Sequence, residues 1–187
     1  MLRDAVLQAA ARDEVRAAVL RIYADLQRVI DQRKPVCSAS GRCCRFEEFG
    51  HRLYVTTMEL AAFVRDLRPA DRAAADAANT AGCPYQIGGL CTVHAIRPFG
   101  CRIFFCDATS DGWQHARYEE FHAELKRLHE ELAVPYRYVE WRDALRELGD
   151  VVIDAGGGAG GSADGRQLIR EAASGHRAGL SLPQLPF

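Results

Sequence analysis

The chain has 187 residues, with 24 Lys and Arg against 25 Asp and Glu and a formal net charge of −1. Nucleic-acid-binding proteins usually carry a basic excess, which is missing here. No stretch of the sequence reaches the roughly 18 apolar residues that a membrane span needs. We therefore expect neither nucleic acid nor a membrane as a partner. Because 48% of the residues are hydrophobic, the chain can bury a core, and its length suits one domain with additional segments.

The first segment, residues 1–34, is predicted to form one helix over 2–31 that Pro35 ends. Apolar residues recur there at steps of three and four, which gives a helix an apolar stripe. This helix could cover the core of the protein or pair with another copy. Charged residues interrupt the apolar run that a signal peptide would need, so a cytoplasmic location is expected. The stripe consists of Val15, Val19, Ile22, Leu26 and Val29.

The next elements are predicted to be short. Small residues favour a loop over 36–50, and an extended run follows at 52–55. Thr56 and Glu59 then form a capping-box pattern, which predicts a helix through about Leu67. Pro69 interrupts that helix, and an Ala-rich helix is expected over 71–78, before Gly82.

The second half of the chain combines a turn-rich block with a long helix. Gly and Pro residues predict that 82–106 is mostly loop, and a strong helix is expected over 113–132. An alternating pattern then predicts a strand at 136–141, before a short helix at 142–149. Residues 150–187 are Gly-rich and are predicted to be a flexible tail. The fold expected is mainly α with a few short strands, a small, loop-rich helical domain stapled by metal over residues 35–149.

Cysteine is the outlier of the composition, with seven residues against only two methionines. In a reducing compartment such thiols seldom form lasting disulfides, and an odd number leaves one unpaired in any case. Metal binding is favoured over redox-active thiols and over plain packing, because all seven lie in the middle of the chain. The candidate metal ligands are Cys37, Cys43, Cys44, Cys83, Cys91, Cys101 and Cys106.

The spacing of the cysteines leaves the identity of the metal open. Seven thiolates exceed the four that a structural zinc requires, which favours an iron–sulfur cluster or two metals that share ligands. The spacing matches neither bacterial ferredoxins nor paired zinc-ribbon knuckles. Cys43 and Cys44 are adjacent, and their side chains are expected to diverge, which is awkward for a single tetrahedral ion. An iron–sulfur cluster is the first expectation, with zinc or mononuclear or dinuclear iron as alternatives.

The cysteine block resembles the YkgJ-type cysteine-cluster family, whose domain is described as zinc- or iron-chelating. The resemblance covers roughly residues 35–141 and is carried by Cys83-Pro84, Cys91, Arg97-Pro98 and Cys101-Arg102, in that order. The chain departs from the family pattern twice. Ser40 stands nearest to where the family has one more cysteine, for which Cys106 is a candidate replacement, and His94 stands where the family has tyrosine.

Basic residues around the cysteines are candidates to stabilise the metal centre. Arginines can donate hydrogen bonds to thiolates and offset their charge; those in position are Arg42, Arg45, Arg97 and Arg102. His94 is a candidate ligand, although a hydrogen-bonding neighbour is the favoured interpretation. His115, His122 and His129 recur along one helix, where a solvated face is favoured over a second metal site.

The function predicted is that of a metal-binding protein with a redox, metal-handling or accessory role. One alternative is an iron-dependent enzyme that acts on a peptide or a small molecule at an open coordination position. Another is a protein-interaction adaptor in which the metal is only a staple. In that case the first helix or the Gly-rich tail would bind the protein partner.

Overall fold

The computed structural model describes residues 1–76 and 81–149. The predicted tail and the end of the predicted 71–78 helix lie outside these residues. Within them the chain is mainly α-helical with a few short strands, as the sequence predicts. The helices are α1 (Leu2–Ala10), α2 (Asp13–Arg33), α3 (Phe46–Phe49), α4 (Thr57–Asp66), α5 (Pro69–Asp76), α6 (Phe99–Ile103), α7 (Asp111–Glu131) and α8 (Trp141–Leu148). The strands are β1 (Tyr54–Thr56), β2 (Gln86–Ile87), β3 (Leu90–Cys91) and β4 (Tyr138–Glu140).

The prediction of one continuous helix over 2–31 is wrong, because the helix is broken between α1 and α2. Arg12 adopts an extended conformation, with φ −103° and ψ 116°. Its guanidinium donates to the carbonyl oxygen of Leu132 at 2.8 Å, at the end of α7. Asp13 and Glu14 then occupy the first turn of α2, where acidic side chains favour a helix start. The predicted stripe itself is correct, and four of its five residues are fully buried in α2.

Helix α4 lies at the centre of the helical core. Every residue from 57 to 64 is buried, and both α1 and α2 pack against this helix. Its start is the predicted capping box, in which Glu59 Oε2 accepts from the backbone N–H of Thr56 at 2.8 Å. The N-terminal segment is thus part of the helical core in this chain.

The two strand pairs are short and antiparallel. β1 pairs with β4, with Val55 opposite Val139, and this pair joins the middle of the chain to its last described helix. β2 and β3 form a hairpin, with Gln86 opposite Cys91. The strand expected near Tyr138 and the helix after it are confirmed.

The loop expected over 36–50 contains two short helical segments. A 3₁₀ turn spans Arg42–Cys44, and α3 follows it. Phe46 is buried and anchors this segment, while Gly50 ends α3 with a φ of 64° that glycine adopts without strain.

The structure also changes the interpretation of the α7 histidines. His115 is exposed, but His122 and His129 are buried among tyrosines. His122 Nε2 lies 3.0 Å from the hydroxyl of Tyr136. The expectation of a solvated face is therefore wrong for these two residues.

No helix among the described residues is long and apolar enough to cross a membrane.

Candidate metal centre

Four of the predicted cysteine ligands come together from three separate segments. The thiol of Cys44 interacts with the thiols of Cys43, Cys83 and Cys91. Cys43 and Cys44 belong to the 3₁₀ turn, Cys83 precedes the β2–β3 hairpin, and Cys91 ends β3. The side chains of Cys43 and Cys44 thus meet, whereas the sequence suggested that they would diverge. All seven cysteines are free thiols.

A backbone contact joins the two cysteine-bearing segments. The N–H of Cys83 donates to the carbonyl oxygen of Cys44 at 2.8 Å. Gly82 allows this approach, because a Cβ atom there would lie 2.3 Å from the same oxygen. On the other side of the hairpin, Gln86 Nε2 donates to the carbonyl oxygen of Gly41 at 2.9 Å. These contacts hold the thiols together independently of the thiol–thiol interactions.

The thiols surround a cavity of about 90 Å³, which we call the sulfur cavity. Its wall contains six of the seven cysteines, all except Cys106. Cys106 is exposed and lines a different cavity beside Arg42 and Phe49. Cys37 is also exposed, at the edge of the sulfur cavity. The structure therefore brings together Cys43, Cys44, Cys83 and Cys91, with Cys101 beside them.

The pKa values of the thiols differ, so some of them lose a proton more readily than others. Contact with Cys44 lowers the pKa of Cys43 to about 6 and that of Cys91 to about 7. The same contacts raise the pKa of Cys44, so Cys44 keeps its proton while its neighbours become thiolates. Burial raises the pKa of Cys101. The site thus accumulates negative charge at Cys43 and Cys91 near neutral pH, and the pKa of Cys83 is lowered as well, mainly by its contact with Cys44.

Of the predicted arginines, Arg97 faces the sulfurs most directly. Its positive charge helps to lower the pKa of Cys43 and of Cys91. The guanidinium also contacts His94 Nε2, and it donates to the backbone oxygen of His94 at 3.2 Å. Its Nε is buried without a hydrogen-bond partner. His94 is therefore a hydrogen-bonding neighbour of Arg97 in this structure.

The other arginines have different contacts. Arg102 lines the sulfur cavity, but it donates to the backbone oxygens of Arg97 and Ala95 and lies 4.2 Å from the centre of the Tyr23 ring. Arg42 and Arg45 both lie over the ring of Phe49, at 4.4 and 4.9 Å. The hydrogen bonds of Arg102 thus stabilise the loop before α6, and Arg42 and Arg45 stabilise α3.

Two residues near the thiols were not predicted from the sequence. Trp141 is 1% exposed, and its indole N–H has no partner with good hydrogen-bond geometry. That N–H contributes to lowering the pKa of Cys83, after the larger effect of Cys44. His51 Nε2 lies 3.1 Å from the carbonyl oxygen of Cys43. The sequence placed Trp141 only at the end of the predicted strand 136–141, and it gave no signal for His51.

The chemistry of these donors, though not their present arrangement in the described residues, suits a thiolate-ligated metal ion. Buried N–H groups without partners, at Trp141 and Arg97, are the kind of donors that stabilise metal-bound thiolates. In a tetrahedral zinc site with bonds of about 2.3 Å, the sulfurs lie about 3.8 Å apart, so ligands must be in mutual contact. In residues 1–76 and 81–149, no group of three or more His, Cys, Asp or Glu side chains has an arrangement ready to hold a metal ion. Ligation by these thiols would therefore require side-chain adjustment.

Comparisons of this chain with family models, with curated proteins and with solved structures found no match.

Proposed function

We propose that this chain is a metal-binding protein with one centre, held by the thiolates of Cys43, Cys44, Cys83 and Cys91. The observation that carries the proposal is the convergence of these four thiols on Cys44 from three segments of the chain. Four thiolates are a complete ligand set for a structural zinc ion, and they also suit iron. Metal binding accounts for a cluster of ionised sulfurs better than packing does, because uncompensated charges repel each other in a partly buried site.

We favour a mononuclear zinc or iron ion. Four thiols that line one small cavity suit the short sulfur–sulfur separations of a single tetrahedral ion, whereas a four-iron cluster needs its ligands farther apart. An iron–sulfur cluster is the second candidate, supported by the additional thiols of Cys37 and Cys101 in the same cavity wall. In either case Arg97 offsets the negative charge of the centre.

The centre joins loops that contain few buried apolar residues, so the metal contributes to the fold itself. Seven free thiols suit a reducing compartment, which supports a cytoplasmic location. The order of the motifs that resemble the YkgJ-type cysteine-cluster family supports the same function. We propose an accessory or metal-handling role, in which the metal centre organises the surface around it.

Elemental analysis of protein purified under anaerobic conditions tests the proposal. About one zinc or iron per chain without acid-labile sulfide is the expected result. Broad visible absorption with stoichiometric sulfide would indicate the cluster instead. Protein that binds no transition metal, even after anaerobic reconstitution, would refute both forms of the proposal.

Two pairs of variants locate the centre. Cys44→Ser is expected to abolish stoichiometric metal binding, while Cys106→Ser, whose thiol lies outside the sulfur cavity, is expected to keep it.

Gly82→Ala is expected to weaken metal binding at least tenfold without removing a thiol, because the new Cβ displaces the Cys44 carbonyl. Gly112→Ala is its control, since a Cβ at Gly112 meets nothing within 4 Å. Equal metal content in Gly82→Ala and Gly112→Ala would show that the backbone contact does not position the ligands.

A further inference from the structure

A second, larger cavity lies against the sulfur cavity. It has a volume of about 280 Å³, and we call it the side cavity. Cys43, Cys101 and Phe104 line both cavities. Residues of β1, β4 and α7 also line the side cavity. We propose that the side cavity binds a small aromatic carboxylate, with its ring among the aromatic side chains and its carboxylate at Arg52 and the hydroxyl of Tyr138.

The volume limits the ligand to a small molecule. Ligand pockets commonly begin near 300 Å³, and an apolar cavity of about 150 Å³ takes a benzene ring. By proportion, the side cavity suits a molecule with on the order of ten non-hydrogen atoms. A ring with a short carboxylate side chain has this size.

Aromatic side chains that face the side cavity are left partly uncovered. Tyr54 is 39% exposed, Tyr138 38% and Phe104 40%, and all three line the cavity. The rings of Tyr54 and Tyr138 are stacked with their centres 5.2 Å apart. Phe104 is stacked on His51 in the same way, at 5.3 Å. Partly exposed rings in a cavity wall favour an aromatic ligand, since ring–ring contacts add to the free energy of apolar burial.

The charge of the ligand follows from unpaired donors. Arg52 lines the side cavity and makes no hydrogen bond or ion pair with the described residues. Its charge acts on Glu47, but the carboxylate of Glu47 is bound by Arg142. The acidic side chain in the cavity wall, Asp111, accepts a hydrogen bond from Gln114 Nε2 at 3.1 Å. His115 also lines the cavity and adds a further potential donor. A guanidinium with no direct hydrogen bond is suited to bind a carboxylate through two parallel hydrogen bonds.

Tyr138 provides the second donor. Its hydroxyl contacts that of Tyr118. Either hydroxyl can donate in this bond. When Tyr118 donates to Tyr138, the O–H of Tyr138 is left to bond to a ligand oxygen in the side cavity.

A calorimetric titration of the full chain tests the proposal with 3-phenylpropionate and its neutral amide, 3-phenylpropionamide. The acid is expected to bind at least tenfold more tightly than the amide. Arg52→Ala should weaken binding of the acid at least tenfold and leave binding of the amide nearly unchanged. Tyr138→Phe keeps the ring and should weaken the acid severalfold. Arg146→Ala removes a similar exposed charge away from the cavity and should change neither.

Three outcomes would overturn the proposal: no heat of binding for the acid, equal affinities for acid and amide, or unchanged binding of the acid in Arg52→Ala. Circular dichroism of the variants verifies that each is folded, and Arg52 is exposed, so its loss leaves the core intact. Because Cys43 and Cys101 line both cavities, the titration is carried out on metal-loaded and on metal-free protein. Metal content is measured on the same samples, so failure of one proposal is distinguishable from failure of the other.

Discussion

In α4, eight consecutive residues from 57 to 64 are buried, whereas in the cysteine loop 36–50 only Cys44 and Phe46 are. Cys44 and Phe46 belong to the same buried cluster as the residues of α4, yet different interactions maintain the two regions. The helical core gains its stability from apolar surface removed from water. The cysteine loops contain few buried side chains and are joined by close backbone contacts. The contrast predicts that the helical core folds by burial of apolar surface, while the loops need additional interactions, which the proposed metal centre would supply.

Metal removal should produce the largest effect, and it should separate the two regions. A structural zinc contributes on the order of 10–16 kcal/mol in small zinc peptides, and here that free energy would act on the loops. With a chelator present, amide hydrogen exchange should accelerate strongly in 36–53 and 81–106 and change little in α4. Exchange that accelerates equally in both regions would show that they form one cooperative unit.

A substitution in the helical core should lower the stability of the protein and leave its metal content unchanged. Leu125 on α7 is fully buried, so Leu125→Ala should lower the free energy of unfolding by about 2–5 kcal/mol. The metal content per folded chain should stay the same. Urea denaturation and elemental analysis provide the two measurements. Leu90→Ala is the control, because Leu90 is 68% exposed and its loss should change stability by less than about 0.5 kcal/mol. Loss of metal in Leu125→Ala would mean that the core positions the ligands directly.

The helical core was largely predictable because its signals are local. The capping box of Thr56 and Glu59 requires only four consecutive residues, and it starts α4 as expected. The break between α1 and α2 was not predictable, since no Gly or Pro marks it. Arg12 reaches the carbonyl oxygen of Leu132, 120 residues away in the chain. The periodic pattern of apolar residues contains no information about a contact between residues this far apart in the chain.

The cysteine site was predictable in part. The density of cysteines in mid-chain indicated a cluster, and the structure gathers four thiols with Cys101 beside them. Sequence alone could not separate Cys106 from the others, nor could it place Trp141 beside Cys83. Those outcomes depend on how the segments around Gly82 and the β1–β4 pair approach each other. The same reason applies to Arg42 and Arg45, which neighbour the cysteines in sequence but contact Phe49.

Titration of a buried histidine should give the smallest effect, and it belongs to the helical core alone. His129 is 2% exposed, lies 3.0 Å through Nδ1 from the carbonyl oxygen of Val134, and leaves Nε2 without a partner. Burial lowers its pKa below the ordinary value of 6.5. As the pH falls below about 6.5, His129 binds a proton in the unfolded chain but not yet in the folded chain. The free energy of unfolding therefore decreases. The slope per site is at most about 1.4 kcal/mol per pH unit.

His129→Gln removes this titration and should flatten the loss of stability between pH 7 and pH 5, measured by urea denaturation. Part of the slope should remain, because burial also lowers the pKa of His122. Burial raises the pKa of Glu59, which contributes in the opposite direction. Parallel pH profiles for wild type and His129→Gln would show that the buried ring gains a proton in the folded state as readily as in the unfolded one.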